Sequence, residues 1–109
     1  MDIRKIFTYF VTHKKCNIKR DYSSSFSLEK DVLTVTGVNF SDGILNIKKT
    51  FNFSSINTII FSDCMFKNVN IINLNCCLVF ESCSLVGSKI HDTKEVTFKE
   101  CLFKDVTTG

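Results

Sequence analysis

Four segments of the chain repeat one another without gaps: Phe40-Ser41-Asp42-Gly43-Ile44-Leu45, Phe61-Ser62-Asp63-Cys64-Met65-Phe66, Phe80-Glu81-Ser82-Cys83-Ser84-Leu85 and Phe98-Lys99-Glu100-Cys101-Leu102-Phe103. Their starts, at Phe40, Phe61, Phe80 and Phe98, are nearly evenly spaced, and an apolar residue (Val38, Ile59, Leu78, Val96) stands two positions before each Phe. A unit this short cannot bury its apolar side chains alone. Copies must stack and share one core, which restricts the chain to a repeat architecture.

The spacing inside a copy narrows the choice. Apolar residues fall at Ile59, Phe61, Cys64, Phe66, Val69 and Ile71, in steps of 2, 3, 2, 3, 2, and again at Leu78, Phe80, Cys83, Leu85 and Ile90, with Ser88 replacing one small apolar residue. A helix gives steps of 3 and 4, and an uninterrupted strand gives steps of 2. The alternation describes a short extended pair facing inward, a polar corner, then another pair. Four five-residue faces close a circuit in about 20 residues, and circuits then stack at about 4.8 Å. The alignment predicts one internal ladder of Phe40, Phe61, Phe80 and Phe98, and a second of Leu45, Phe66, Leu85 and Phe103. Cys64, Cys83 and Cys101 fill narrow inward positions, with Gly43 at the head of their column.

Cys64-Met65-Phe66-Lys67-Asn68 and Cys101-Leu102-Phe103-Lys104-Asp105 resemble units of the pentapeptide-repeat family: a small residue, a polar residue, Leu or Phe, then two polar residues. The resemblance covers residues 38–109. It implies an all-β fold, a short right-handed parallel β-helix of about four coils, each as long as the spacing between successive copies. Near Leu74 to Cys77 and Thr93 to Glu95 a coil loses one or two residues, and a triangular, pectin-lyase-like β-helix accommodates those gaps as well. Residues 22–37, with Phe26, Leu28, Val32, Leu33 and Val35, read as an extended lead-in. Residues 1–14 can be drawn as an amphipathic helix with Ile3, Ile6, Phe7 and Phe10 on one side. Residues 1–20 are therefore expected to be a basic, helical N-terminal cap and residues 21–109 the β-solenoid body. No comparable cap follows Phe103, so a homodimer through the open C-terminal coil is expected.

Composition bounds the function. The 109 residues are 44% hydrophobic with 11 Phe, enough for one core and too apolar for a disordered chain. Proline is absent and glycine occurs 4 times, which disfavours a fold needing many tight turns with positive φ. The net charge of +3 is unevenly placed: residues 1–20 carry six basic residues against one acidic, +5, and the remainder carries −2. The run Ile6 to Val11 is too short for a signal peptide, and no stretch approaches a transmembrane segment. A cytoplasmic or nuclear, non-secreted protein with reduced thiols is expected.

The chemistry-bearing residues point away from catalysis. Cys76, Cys77 and His91 can be drawn as a zinc site, but no C-x2-C pair exists and three of the six cysteines are explained by the repeat. No spacing pairs a cysteine with His13 or His91, which falls at a corner. Asp42, Asp63 and Glu100 occupy equivalent positions at a solvated corner, too few and too open for the carboxylate clefts of long β-helix enzymes. No catalytic residue, metal or cofactor is expected. The near-neutral body excludes imitation of DNA by an acidic rod. The basic arm offers Arg4, Lys5, Lys14, Lys15, Lys19 and Arg20, with Tyr9 and Phe10 interleaved, to an anionic partner. The expectation is a non-catalytic interaction or scaffold protein that binds another protein through its solenoid faces, an accessory protein suited to a virus or another host-interacting organism. The alternative is a nucleic-acid-binding accessory protein using the arm.

Overall fold

Alternating inward and outward residues over five positions, bounded by polar corners, set the strand lengths. The computed structural model describes residues 17–19, 24–46, 57–72, 77–91 and 95–108, and all their regular structure is strand. In chain order the strands are β1 (Asn17–Lys19), β2 (Ser25–Glu29), β3 (Val32–Thr36), β4 (Asn39–Asn46), β5 (Thr58–Ser62), β6 (Met65–Ile72), β7 (Cys77–Glu81), β8 (Ser84–Val86), β9 (Lys89–His91), β10 (Glu95–Lys99), β11 (Leu102–Lys104) and β12 (Thr107–Thr108). One sheet runs β2-β3-β5-β7-β10. The other runs β1-β4-β6-β8-β11, with β9 on β6 and β12 on β9. Pairing is parallel throughout, except where β1 meets β4 and β2 meets β3 antiparallel.

The register corrects the expected ladders. Val35, not Phe40, stands opposite Phe61, which is followed by Phe80 and Phe98. Phe40 heads the other row, opposite Phe66, then Leu85 and Phe103. Gly43 pairs with Val69 and Leu45 with Ile71, so neither belongs where the alignment set it. The step between the first two tiers thus runs from Phe40 to Phe66, one five-residue unit longer than the alignment of Phe40 with Phe61 implies. The cause is the unit itself: sliding by one leaves every inward residue inward, and the aromatic at Phe40 fits either row. Val35 and Val38 replace Phe and Cys in the first tier, and both are fully buried. The supposed lead-in therefore supplies core residues, Leu33 and Val35 among them.

Between the sheets the aromatic rings form two side-by-side columns whose ring planes are nearly perpendicular to each other. Phe61, Phe80 and Phe98 stack at 5.3 Å with planes 17° apart, and Phe40 and Phe66 stack at 4.9 Å. Across the columns the rings meet edge to face, Phe61 against Phe66 at 5.2 Å and Phe66 against Phe80 at 5.4 Å. Ile59, Val69, Ile71, Leu78 and Ile90 complete the core. Ser88 is buried without loss: its Oγ accepts from the Val69 N–H at 3.2 Å and lies 3.3 Å from the Val86 carbonyl.

The corners overturn the expectation about positive φ. Gly37, Asp63, Ser82 and Glu100 form one corner row, with φ between 52° and 68°, and Asp42, Asn68, Gly87 and Asp105 form the next, with φ between 51° and 60°. Six of these eight are not glycine. Polar side chains tolerate the left-handed region at a cost of about 1–2 kcal/mol per residue. Main-chain bonds between tiers offset it: Gly37 N–H to the Ser62 carbonyl, Asp63 to Glu81 and Ser82 to Lys99, at 2.9–3.0 Å.

The expected helical cap falls mostly on residues outside the described ones. Where the basic segment enters view, Asn17–Lys19 is a strand paired with Asn39–Ser41, not a helix. A strand satisfies the edge of β4 with hydrogen bonds, which a helix laid over it would leave open. β2 does the same for β3, and Ile18 and Phe26 pack against the core from these two strands.

Phe61→Ala should cost about 3–5 kcal/mol in urea unfolding, and Phe98→Ala clearly less, because Phe98 is only half-buried. Equal losses would contradict a core centred on the middle tiers. Gly87→Ala should lower stability by about 1–2 kcal/mol in thermal unfolding, because it imposes a Cβ at positive φ. That Cβ would also lie 2.5 Å from Asn68 Oδ1.

Candidate interaction surface

The two ends of the strand stack differ. At the N-terminal end, β1 and β2 cover β4 and β3. At the other end, β10 terminates its sheet and β11 and β12 terminate theirs, with no further described strand beyond them. The side chains that would be core in a middle tier are therefore open. Val96, Phe98, Cys101 and Val106 are only partly buried, and Phe103 is 51% exposed although it continues the row of the buried Phe66 and Leu85. Leu102 lies on the outer surface beside them, 74% exposed.

Among the described residues, no strand pairs with the outer side of the backbone at this end. The Lys99 carbonyl accepts from Ser82 N–H, and Leu102 N–H donates to the Cys83 carbonyl. Amide groups alternate along a strand, so those of Val96, Phe98 and Phe103 face away from the stack. An apolar end with a row of unpaired donors and acceptors is a template for another strand.

The cysteine row has a structural part. Cys64, Cys83 and Cys101 sit just after the first corner, and each thiol lies within hydrogen-bond reach of the carbonyl one tier back: Val35 at 3.4 Å, Phe61 at 3.2 Å and Phe80 at 3.2 Å. Cys64 and Cys83 are buried, and Cys64, Cys77, Cys83 and Cys101 are free thiols. Contact with the Cys64 thiol, and then burial, push the Cys83 thiol well above its ordinary pKa, so it stays protonated as a donor. Among the described residues no group of three His, Cys, Asp or Glu side chains comes together to hold a metal ion. Cys76 lies outside those residues. His91 ends β9 opposite Ile72 and is not at a corner.

The carboxylates divide between rows. Asp63 and Glu100 share the first corner row and line a groove with Met65 and Leu102. Asp42 belongs to the second, where Asn68 Nδ2 donates to its Oδ1 at 3.4 Å. Of the basic arm, Lys19 alone is described, exposed and opposite Asn39. Arg4, Lys5, Lys14, Lys15 and Arg20 lie outside the described residues. Phe103 keeps its expected place in line with Phe66 and Leu85, and its exposure falls at the end of the stack that the sequence already marks as open.

The chain matches no protein-family model, no curated protein and no solved structure. No helix among the described residues is long and apolar enough to cross a membrane.

Native protein treated with a thiol reagent and read residue by residue by mass spectrometry should label Cys77 readily. Cys64 and Cys83 should label only at the rate of opening, because their thiols are buried. Fast labelling of Cys83 would contradict its place in the core.

Proposed function

We propose that the chain is a non-catalytic interaction protein whose rigid body is a short right-handed parallel β-helix, with the open C-terminal end as its binding surface. In this reading the tiers are coils of a pentapeptide-like solenoid. Parallel in-register pairing of β3, β5, β7 and β10, and of β4, β6, β8 and β11, supports it. One observation carries the binding role: Phe103 and its neighbours are exposed at an edge that continues a buried core. Such surfaces mark sites of macromolecular contact. The stacked outer faces add a flat, regular surface for a protein partner, and a cytoplasmic or nuclear setting suits the free thiols.

The alternative rests on the +5 charge of residues 1–20, which suits phosphates of a nucleic acid. Binding of the full chain to labelled single- and double-stranded nucleic acid across a salt series separates the two. The comparison variant carries Gln at Arg4, Lys5, Lys14, Lys15, Lys19 and Arg20. The interaction reading expects no binding by either protein even at low salt. Tight binding by the parent with a steep salt slope, lost in the variant, would overturn it in favour of the nucleic-acid reading.

A further inference from the structure

The edge strand β10 reads Glu95-Val96-Thr97-Phe98-Lys99. Turned end for end about Thr97, it is complementary to itself. Glu95 then faces Lys99 of a second copy, Val96 faces Phe98, and Thr97 faces Thr97. We infer that the open end is closed by a second copy of this chain, through two-fold antiparallel pairing of β10 with β10 centred on Thr97. The inference rests on the interaction reading and names its partner.

Backbone and side chains agree on this register. The amides of Val96 and Phe98 face the open side, so each Val96–Phe98 pair across the junction exchanges both of its hydrogen bonds, four in all. Thr97, whose amide faces β7, takes the close non-hydrogen-bonded position at the axis. Val96 and Phe98 point toward the core in both copies, and the sheet would continue from one protomer to the next with its inner face apolar. The outer face would carry Glu95 against Lys99 twice. Lys99 already lies 3.7 Å from Glu81 of the adjacent tier, so the junction extends an existing alternation of charge. A two-fold axis perpendicular to this sheet also brings the two open ends face to face, covering Phe103 and Phe98.

Other registers lose these terms. Parallel pairing in register would oppose Glu95 to Glu95 and Lys99 to Lys99. A one-residue slip would point the apolar side chains of one copy outward.

Sedimentation equilibrium on the full chain, up to about 100 µM so that micromolar association is saturated, tests the inference. The parent should form a dimer. Glu95→Lys and Lys99→Glu, each alone, should weaken self-association about tenfold or more, since both opposite pairs become like-charged. Their equimolar mixture should restore the dimer as a heterodimer, in which every Glu again meets a Lys. Both positions are exposed, so the variants keep the parent's fold, checked by its circular dichroism. A parent that stays monomeric would overturn the inference. So would single variants that dimerise like the parent, or a mixture that stays monomeric. Each of these results leaves the interaction reading to its own nucleic-acid test. Slowed hydrogen exchange at Val96 and Phe98 with rising concentration is expected alongside, and unchanged exchange in a dimeric parent would place the contact elsewhere.

Discussion

The in-register parallel pairing of tiers sets nearly everything else in this molecule. Strands in a sheet lie about 4.8 Å apart, so a residue and its counterpart in the next tier stand directly above one another. Flat rings suit that spacing. Phe61, Phe80 and Phe98 stack at 5.3 Å with a small tilt, which lets the rings slide into the offset arrangement that aromatic pairs favour. The second column meets the first edge to face, as in the 90° contact between Phe61 and Phe66. Two aromatic columns with perpendicular ring planes then share the space between the sheets with aliphatic rows, such as Ile59 with Leu78 and Ile71 with Ile90. Neighbouring inward positions have to be small, and Val, Cys and Ser occupy them.

That constraint accounts for the recurrence of cysteine at this position in Cys64, Cys83 and Cys101. At the inward position after each first corner the chain is bending, and the carbonyl of the preceding tier points into the cross-section. A thiol is small enough to fit beside the rings and reaches that carbonyl, as Cys83 does to Phe61 at 3.2 Å. Valine at position 38 takes the corresponding place in the first tier and is fully buried. Ser88 shows the polar limit of the rule, tolerated at the second small position because its hydroxyl lies within hydrogen-bond reach of three main-chain groups.

The step pattern 2, 3, 2, 3, 2 was legible because burial has a two-state periodicity: Ile59, Phe61, Cys64, Phe66, Val69 and Ile71 are all buried. The register of the first tier was not legible. A motif with a five-residue unit is nearly invariant to a shift of five, and only tertiary pairing distinguishes Phe40 beside Phe61 from Phe40 beside Phe66. Corner geometry was misjudged for a different reason. Glycine count is a poor guide where Asp, Asn and Ser can adopt positive φ at corners held by bonds from the adjacent tier. The start of the fold was misjudged because Asn17-Ile18-Lys19 carries no local signal distinguishing a helix end from a strand. What decides it is the unsatisfied edge of β4, a non-local feature. The open surface at the far end was legible, but the degree to which Phe103 is uncovered depends on the pairing of β11, which spacing alone does not give.

The asymmetry of the two ends then becomes the functional argument. The first tier meets the antiparallel strands β1 and β2, which satisfy the edges of β4 and β3. The last described tier carries the same inward pattern as its predecessors, with Val96 and Phe98 packed against the core but only partly covered and Phe103 exposed. An edge of this kind left uncharged would accept any extended chain. Glu95 and Lys99, at opposite ends of β10 and of opposite sign, make the edge discriminating. They penalise a parallel copy and reward an antiparallel one in a single register. A slip of two residues that set Phe98 against Phe98 would keep the apolar face inward but leave both glutamates without their lysines. Aromatic burial thus supplies the drive toward closure, while the two charges decide which partner and which alignment can provide it.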